Sequence, residues 1–267
     1  MGIITISRGS YSNGKFIAEQ LARELGYECV SRDIIMEASE HFNVPELKLI
    51  RAIHDAPNLL DRMNYTKEKY IAYIREAFYD HMRHSNIVYH GLAGQFLLQG
   101  VPNVLKVRII ANFEDRVREE MQREGIGADE ARHILKKDDE ERRKWSSTLY
   151  GIDTADPTLY DILIHIDTIQ AEKAVEILKA IADRPCFQDS PQQRQVLSDK
   201  YLEAKVTVAL LGKFPGVKVH AEKSTVMIQM ENVLFMEDRV KEQITQIVNT
   251  VDGVKEIHVG VTPMDID

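Results

Sequence analysis

The stretch ITISRGSYSNGKFIAEQLARELGY, residues 4–27, decides the fold of this 267-residue chain. Four residues separate Gly9 from Gly14, and a lysine follows, which is the spacing of a phosphate-binding loop. Residues 3–7 before the loop are apolar and rich in β-branched side chains, so they favour a buried parallel strand. Residues 16–26 after the loop repeat their apolar side chains at helical spacing and end in a glycine. This order predicts a site where backbone N–H groups converge on phosphate oxygens.

The loop supplies the candidate contacts to a nucleotide. We expect its backbone amides to bind the donor phosphates and the ammonium group of Lys15 to bridge the terminal phosphates. Many such loops have Ser or Thr at the position of Phe16, and the sequence favours none of the nearby hydroxyls as a magnesium ligand. The metal ligands therefore stay unassigned, and a tight strand–helix turn with a surface lysine is the opposing interpretation. The candidate nucleotide-binding residues are Gly9, Ser10, Tyr11, Ser12, Asn13, Gly14, Lys15 and Phe16.

Composition and charge argue against several classes of protein. Charged residues make up 28% of the chain and hydrophobic residues 44%, which is an ordinary globular balance. The net charge of -8 disfavours a general nucleic-acid binder, because such proteins need a surplus of Lys and Arg. No signal-peptide pattern or membrane-length apolar run is present, and Cys29 and Cys186 form no metal or redox motif. We expect a cytoplasmic protein that binds nucleotides, without nucleic acid or an integral membrane contact as partner.

Strands and helices alternate along most of the chain. Strand candidates after the first are 27–31, 86–91, 104–111 and 161–167. Helical segments are expected at 33–85, with breaks near Pro45 and Pro57, and at 114–147 and 171–182. This alternation predicts an α/β fold with a parallel sheet covered on both faces. The expected division is a domain of residues 1–184, a polar, proline-containing linker of 185–196, and a small α+β domain of 197–267.

The opening stretch resembles the start of the cytidylate-kinase-like P-loop proteins, a branch of the nucleoside monophosphate kinases. In that branch a basic residue and an Ile-Ala-x-x-Leu-Ala helix follow the loop, and here Lys15 precedes Ile17-Ala18 and Leu21-Ala22. The likeness covers about residues 1–183 and rests on the order of several segments. The further matching segments are SRDIIMEAS (31–39), NIVYHGLAGQFLL (86–98), VLKVRIIANFEDRVRE (104–119) and the D-x-x-R and Asp-Pro-x-x-Tyr-Asp elements within 138–168.

The resemblance implies a P-loop NTPase fold with three layers and a helical lid. It implies phosphoryl transfer from ATP, with Mg²⁺, to a nucleoside monophosphate similar to CMP or dCMP. Lys15 and Arg142 are the implied catalytic residues: Lys15 stabilises charge between donor and acceptor, and Arg142 closes over the transferring group. Arg116, Asp139 and Arg142 are the implied lid residues, and Asp33 is the implied acceptor contact.

One departure from the family concerns the acceptor. After the third strand these proteins usually carry Gly-Arg-Gly, whose arginine can meet a phosphate, whereas this chain has His90-Gly91-Leu92. A histidine is neutral for much of the time near pH 7 and replaces an arginine only in part. The candidate acceptor-binding residues are therefore Asp33, Arg8 and His90.

The C-terminal residues resemble a BON domain, which is a compact binding or interaction module. The matching features are a leading helix, a hairpin, a second helix and the segment VDGVKEIHVGV (251–261). STVMIQMENV (224–233) replaces the glycine-rich strand of that domain. The resemblance implies that this part binds a ligand or a protein partner and is not catalytic.

The individual assignments have plainer alternatives. Residues 116–144 carry nine basic and nine acidic side chains, which also suits a solvated helical surface with i,i+4 ion pairs. Asp33 equally suits the cap of a helix. For the whole chain, one alternative to a kinase is a catalytically weak nucleotide sensor that regulates what the C-terminal domain binds. The other is an interaction protein with a vestigial loop.

Overall fold

Two compact units make up the described part of the chain. The structure, a computed structural model, describes residues 2–9, 13–31, 33–49, 66–84, 86–91, 94–232 and 237–263. The first unit contains described residues 2–33 and 84–190, and the second contains 34–49, 66–83 and 191–263. The strands are β1 Ile3–Arg8, β2 Glu28–Val30, β3 Ile87–Tyr89, β4 Val104–Ala111, β5 Ile162–Ile166, β6 Lys218–Glu222, β7 Thr225–Asn232 and β8 Glu256–Pro263. The helices are α1 Gly14–Leu25, α2 Asp33–Phe42, α3 Thr66–Met82, α4 Gly94–Leu97, α5 Phe113–Glu124, α6 Ala128–Tyr150, α7 Ala171–Ala182, α8 Pro191–Leu211 and α9 Glu237–Val248.

The first unit contains a parallel five-stranded sheet in the order β2-β3-β1-β4-β5. Its apolar side chains on one face pack against α1 and α7, and Ile6, Ile17 and Leu178 in this core are fully buried. Each such side chain contributes about 1.5–3 kcal/mol to folding through the removal of apolar surface from water. The loop after β1 leaves the middle strand at its carboxyl end, where ligands bind in open parallel sheets. The α/β architecture expected from the sequence is therefore confirmed.

On the other face of this sheet, glycine allows a close approach between α4 and the strands. A Cβ added at Gly94 would lie 2.4 Å from Thr5 Oγ1 and 2.6 Å from Tyr89 Cδ1. Both distances are far below van der Waals contact, so a larger residue would push the helix off the sheet. Gly94, in the segment after β3, is therefore required for the packing of α4 on the sheet.

Helices α5 and α6 form a hairpin with a small apolar core. The sequence indicated one charged helical segment over 114–147, but the structure has two helices. Gly125, with φ of 67°, closes α5 in the left-handed conformation that glycine adopts without strain. Val117, Ala131 and Leu135 are buried between the two helices. This hairpin is the helical segment that the family resemblance identifies as the lid.

The second unit contains a mixed three-stranded sheet in the order β6-β7-β8. β6 pairs with β7 in antiparallel fashion and β8 pairs with β7 in parallel fashion. One face of the sheet packs against α8 and α9, with Val206, Val226 and Ile244 fully buried. Helix, hairpin, helix and strand follow one another in the expected order, and the expected small α+β fold is confirmed.

Some boundaries differ from the sequence expectations. α8 begins at Pro191, so part of the expected linker 185–196 is helical, because proline is well suited to the first turn of a helix. α2 ends at Phe42, before Pro45, whereas Pro57 lies outside the described residues. The second unit combines residues 34–49 and 66–83 with the C-terminal part, so the division at 184 and 197 stays a prediction. Among the described residues, no helix has both the length and the apolar character that crossing a membrane requires.

Candidate nucleotide site

The loop between β1 and α1 is held by residues at both of its ends. Ser10, Tyr11 and Ser12 lie outside the described residues. A Cβ added at Gly14 would lie 2.6 Å from the Cβ atom of Arg8, so the stem of Arg8 occupies the space that a side chain would need. Asn13 adopts a left-handed conformation with φ of 58°, and its Nδ2 donates to Glu119 Oε1 at 3.2 Å. The end of the loop is thereby tied to α5.

Lys15 lies in the first turn of α1 and extends into solvent. Its side chain is 66% exposed, and Nζ is 3.6 Å from Glu19 Oε1. An ion pair at this exposure contributes little to stability, so the ammonium group can exchange Glu19 for a phosphate at low cost. Phe16, the next residue, is also exposed at 37%. Both side chains are therefore accessible to a ligand at the N-terminus of α1.

Arg116 lies against the first glycine of the loop. Its guanidinium atoms are 3.5–3.7 Å from the position that a Cβ of Gly9 would occupy. The same guanidinium donates two hydrogen bonds of 2.9 Å to the two carboxylate oxygens of Asp139. Arg116 is only 9% exposed, so it is not part of a solvated helix surface.

Arg142 also contacts the loop region. It follows Asp139 by three residues on α6, and residues at that spacing lie on the same side of a helix. Its Nη1 donates to the main-chain oxygen of Arg8 at 2.9 Å. In the D-x-x-R element, Asp139 therefore binds Arg116, and Arg142 binds the main chain of Arg8, the residue before Gly9.

The candidate acceptor residues lie at the ends of β2 and β3. Asp33 is the first residue of α2, and its Oδ2 accepts a hydrogen bond from Ser31 N at 3.2 Å. His90 follows β3 directly and is only 7% exposed. Its main-chain N donates to Val30 O at 3.0 Å. Both residues thus lie near the carboxyl edge of the sheet.

The imidazole of His90 is held in its neutral form. Burial lowers the pKa of His90, and the positive charge of Arg8 lowers it further. Its Nδ1 is buried and has no hydrogen-bond partner among the described residues. A neutral ring in this place can exchange a hydrogen bond with a ligand but provides no positive charge.

A polar cluster that the sequence analysis did not assign lies between β1, β4 and the segment after α6. Arg108 Nη1 donates to Tyr160 Oη at 3.0 Å and also to the main-chain oxygen of Thr154. Tyr160 Oη in turn donates to Ser7 Oγ at 3.2 Å, and Ser7 aligns with Arg108 in the sheet. The signal was an arginine inside the otherwise apolar strand VLKVRIIA, since a charge at such a position needs a partner.

The residues present fit a triphosphate better than they fit a dedicated metal cage. Gly14 has no room for a side chain, and glycine at such a position is typical of loops whose backbone amides bind phosphate oxygens. No group of three or more His, Cys, Asp or Glu side chains among the described residues is arranged to hold a metal ion. Magnesium in nucleotide sites is commonly held by one or two protein oxygens together with phosphate oxygens and water, which agrees with this arrangement.

Comparison with known proteins agrees with this geometry. Residues 3–168 match the model of the Cytidylate kinase-like family. A cytidylate kinase of Thermoplasma acidophilum is 27% identical over 183 residues, which cover 68% of this chain and 90% of that protein. A cytidylate kinase of Ignicoccus hospitalis is 26% identical over 184 residues, which cover 67% of this chain and 98% of that protein.

A solved structure supports the fold. An uncharacterized protein from Eubacterium ventriosum superposes with a TM-score of 0.52 at 21% identity, covering 69% of this chain and 100% of that chain. Since the family match spans more than half of the 267 residues and includes the strand, the loop and the hairpin described above, this chain belongs to the cytidylate kinase-like family.

Proposed function

We propose that this protein transfers a phosphoryl group from ATP to a nucleoside monophosphate, with CMP or dCMP as the preferred acceptor. The observation that carries the proposal is the set of basic side chains around the loop: Arg8, Lys15, Arg116 and Arg142. Two of the four already have an acidic partner, since Lys15 pairs with Glu19 and Arg116 with Asp139. A polyphosphate beside Gly9 and Gly14 would lie among these four cations. The choice of a cytidine acceptor follows the names of the two relatives.

The proposed mechanism depends on positioning and on charge stabilisation. Phosphoryl transfer needs little covalent chemistry from the protein, because the attacking oxygen belongs to the acceptor. Backbone amides of the loop hold the donor phosphates, and Lys15 leaves Glu19 to stabilise charge that develops on the transferring group. Mg²⁺, when bound, neutralises phosphate charge. Arg116 and Arg142 complete the positive surroundings from the α5–α6 hairpin, and Asp139 fixes the orientation of Arg116.

On the acceptor side, Asp33 and Arg8 act through their charge, and His90 acts through hydrogen bonding. Asp33 orients the acceptor through its carboxylate, which is exposed at the start of α2. His90, buried and neutral, offers an imidazole nitrogen as a hydrogen-bonding group, and Arg8 is the proposed cation for the acceptor phosphate. Free Cys29 and Cys186, together with the use of ATP, fit a reducing cytoplasm.

The test is a coupled assay of ADP release over a panel of nucleoside monophosphates. We expect turnover that requires an acceptor and is fastest with CMP or dCMP. The variant Lys15→Ala should lose turnover by a factor of about 100 or more while it stays folded, because removal of one group that stabilises charge in the transition state has effects of that size. Lys179→Ala is the matched control, since Lys179 is exposed on α7 and pairs with Glu24. No acceptor-dependent release of ADP with any member of the panel would contradict the proposal.

A second candidate is a catalytically weak nucleotide sensor whose occupancy alters what the C-terminal unit binds. His90 favours it, because a neutral buried imidazole replaces the arginine that is usual after the third strand in this family. The sensor binds ATP and, unlike the kinase, releases no ADP above the rate of the Lys15→Ala variant. The same assay, together with a titration of ATP, therefore separates the two candidates.

A further inference from the structure

We infer that Glu119 is a positioning residue for the donor phosphates, because it keeps the side chain of Asn13 away from the amide groups that these phosphates would occupy. The inference rests on the proposed function, which assigns the donor phosphates to the loop that ends at Asn13 and Gly14. Asn13 and Glu119 belong to the same compact unit, and their side chains are in direct contact. Glu119 therefore acts on the ligand through Asn13.

The backbone of Asn13 sets the shape of the loop where α1 begins. Its φ of 58° and ψ of 7° are left-handed, and the next residue, Gly14, is already helical. A left-handed conformation is unfavourable for most residues, although asparagine tolerates it better than others do. Successive amides in a turn of this kind form a concavity that binds anions. The left-handed conformation of Asn13 is therefore the one that suits a phosphate.

Asparagine at this position also favours a second arrangement, in which it caps the helix. A capping asparagine has an extended backbone, and its side-chain oxygen accepts a hydrogen bond from the second or third amide of the helix. In α1 these are the amides of Lys15 and Phe16. Between these described residues the structure shows no such bond, whereas the main-chain oxygen of Asn13 accepts from Ile17 N at 3.0 Å. The amides of the first turn thus have no partner within the helix.

Glu119 on α5 holds the side chain of Asn13 in another direction. Asn13 Nδ2 donates to Glu119 Oε1 at 3.2 Å, and the two residues are 106 positions apart in the sequence. Glu119 follows Arg116 by three residues, so the two side chains lie on the same side of α5. Arg116 lies beside Gly9, at the other end of the loop. One side of α5 therefore contacts both ends of the phosphate-binding loop.

The charge of Glu119 decides between the two arrangements of Asn13. A hydrogen bond to a carboxylate is roughly twice as strong as one between neutral groups, such as a side-chain amide and a main-chain amide. Burial raises the pKa of Glu119, the hydrogen bond from Asn13 opposes this increase, and the negative charge of Asp115 adds to it. Loss of the bond from Asn13 would leave this partly buried carboxylate less well stabilised. The bond to Glu119 is thus favoured over a cap of α1.

Replacement of Asn13 by glycine removes the need for Glu119. Glycine adopts a left-handed conformation without strain and has no side chain that competes for the amides of α1. In Glu119→Ala, by contrast, the side chain of Asn13 is released and caps the helix, so a phosphate must displace it. The effect of Glu119 on ATP affinity should therefore be present with asparagine at position 13 and absent with glycine. A general loss of stability would not depend on residue 13 in this way.

The experiment is a calorimetric titration of ATP onto the full chain and its variants. We expect Glu119→Ala to raise the Kd for ATP roughly three- to tenfold, the effect of one hydrogen bond on an equilibrium. The same change made in the Asn13→Gly protein should alter the Kd of that protein by less than about twofold. Glu124→Ala is the control for the loss of a carboxylate from α5, because Glu124 is 47% exposed at the end of that helix and pairs with Arg123. This control should bind ATP as the parent does.

Asn13→Ala gives a second comparison, which leaves Glu119 in place. Alanine lacks both the hydrogen bond to Glu119 and the tolerance for a left-handed backbone, so its Kd for ATP should exceed that of Asn13→Gly by roughly threefold or more. Should Glu119→Ala prove unfolded by circular dichroism, this comparison decides alone, and equal Kd values overturn the inference.

The outcomes separate the inference from the proposed function. Equal Kd values for the parent and Glu119→Ala overturn the inference and leave the kinase proposal intact. The same increase from Glu119→Ala with asparagine and with glycine at position 13 does so too. A parent that binds ATP but releases no ADP with any acceptor overturns the kinase proposal alone, and a parent that does not bind ATP overturns both.

Discussion

Arg116 and Asp139 form two hydrogen bonds of equal length, 2.9 Å, across the α5–α6 hairpin. The guanidinium in this pair lies beside Gly9, at the start of the phosphate-binding loop. Asp139 thus holds a buried positive charge in a fixed orientation next to the place where a triphosphate is proposed to bind. Bidentate pairs of this kind fix direction as well as distance.

We expect Asp139→Asn to lower kcat/KM by a factor of about 10–100, because Arg116 keeps its charge but loses one of its two fixed directions. The loss of stability should be about 1–3 kcal/mol, the usual cost when a buried polar group loses a partner. Steady-state kinetics and urea unfolding measure the two effects. Glu140→Gln is the control, since Glu140 is exposed and pairs with Lys144 in the same helix. Equal kinetic effects of the two variants would show that Asp139 has no role at the site.

Gly14→Ala should abolish ATP binding at millimolar ATP and destabilise the protein by about 1–3 kcal/mol, as expected for overpacking at a rigid position. The physical reason is the 2.6 Å separation between the new Cβ and Arg8 Cβ, which forces the loop and β1 apart. Calorimetric titration with ATP and thermal unfolding measure the outcome. Gly127→Ala is the matched control, because nothing among the described residues lies within 4 Å of a Cβ at that position. ATP affinity that is the same in Gly14→Ala and in the parent would contradict the assignment of the loop.

Tyr160→Phe should weaken the attachment of the segment after α6 to the sheet. The variant loses the hydroxyl that bridges Arg108, Ser7 and the main chain of Thr154. We expect a stability loss of about 1–2 kcal/mol, since several hydrogen bonds share this one group. Urea unfolding of the variant and of the parent measures it. An unchanged free energy of unfolding would mean that the cluster is not a structural link.

The pH dependence of stability tests the environment of His90. Burial lowers its pKa below the ordinary value of 6.5, so the unfolded chain binds a proton more readily than the folded protein does. Stability from this residue is fully present above the unfolded pKa and is lost as the pH falls toward the lower folded value. The charged groups that act on it are Arg8, Glu19 and Lys15.

As the pH falls from about 7.5 to 5.5, the free energy of unfolding should therefore decrease less for His90→Gln than for the parent. This range brackets the ordinary pKa of histidine. The difference between the two slopes can reach at most about 1.4 kcal/mol per pH unit, the value for one proton. Urea unfolding at a series of pH values measures the slopes, and His133→Gln on α6 serves as control. Parallel curves for parent and His90→Gln would rule out a histidine that is kept neutral by burial.

The sequence predicts the elements that depend on local patterns and fails where a partner is distant. Gly9, Gly14 and the strand before them indicate the loop, because glycine spacing and apolar runs are local signals. The family resemblance implies that Arg142 belongs to the lid, but its bond to the main chain of Arg8 joins residues that are 134 positions apart. The link between Arg108 and Tyr160 is of the same kind, since it forms only once β4 and the segment after α6 are brought together.

In the second unit, too, the sequence does not predict which distant segments pack together. Its C-terminal helices and strands follow periodic patterns, and their order was expected from the sequence. No pattern along the chain indicates that α3 packs against α8, because the two segments are far apart in the sequence and neither carries a motif that specifies the other. This packing follows from tertiary structure alone.

The central claim is that the loop from Gly9 to Gly14, with Lys15, binds the triphosphate of a nucleotide. Calorimetric titration of ATP onto the parent protein, Lys15→Ala and Lys179→Ala tests it most directly. The account predicts saturable binding to the parent and to Lys179→Ala, and an affinity at least about tenfold lower for Lys15→Ala, because a charge-assisted contact to phosphate is lost. Equal ATP affinity of the parent and Lys15→Ala, or no binding to the parent, would contradict the claim.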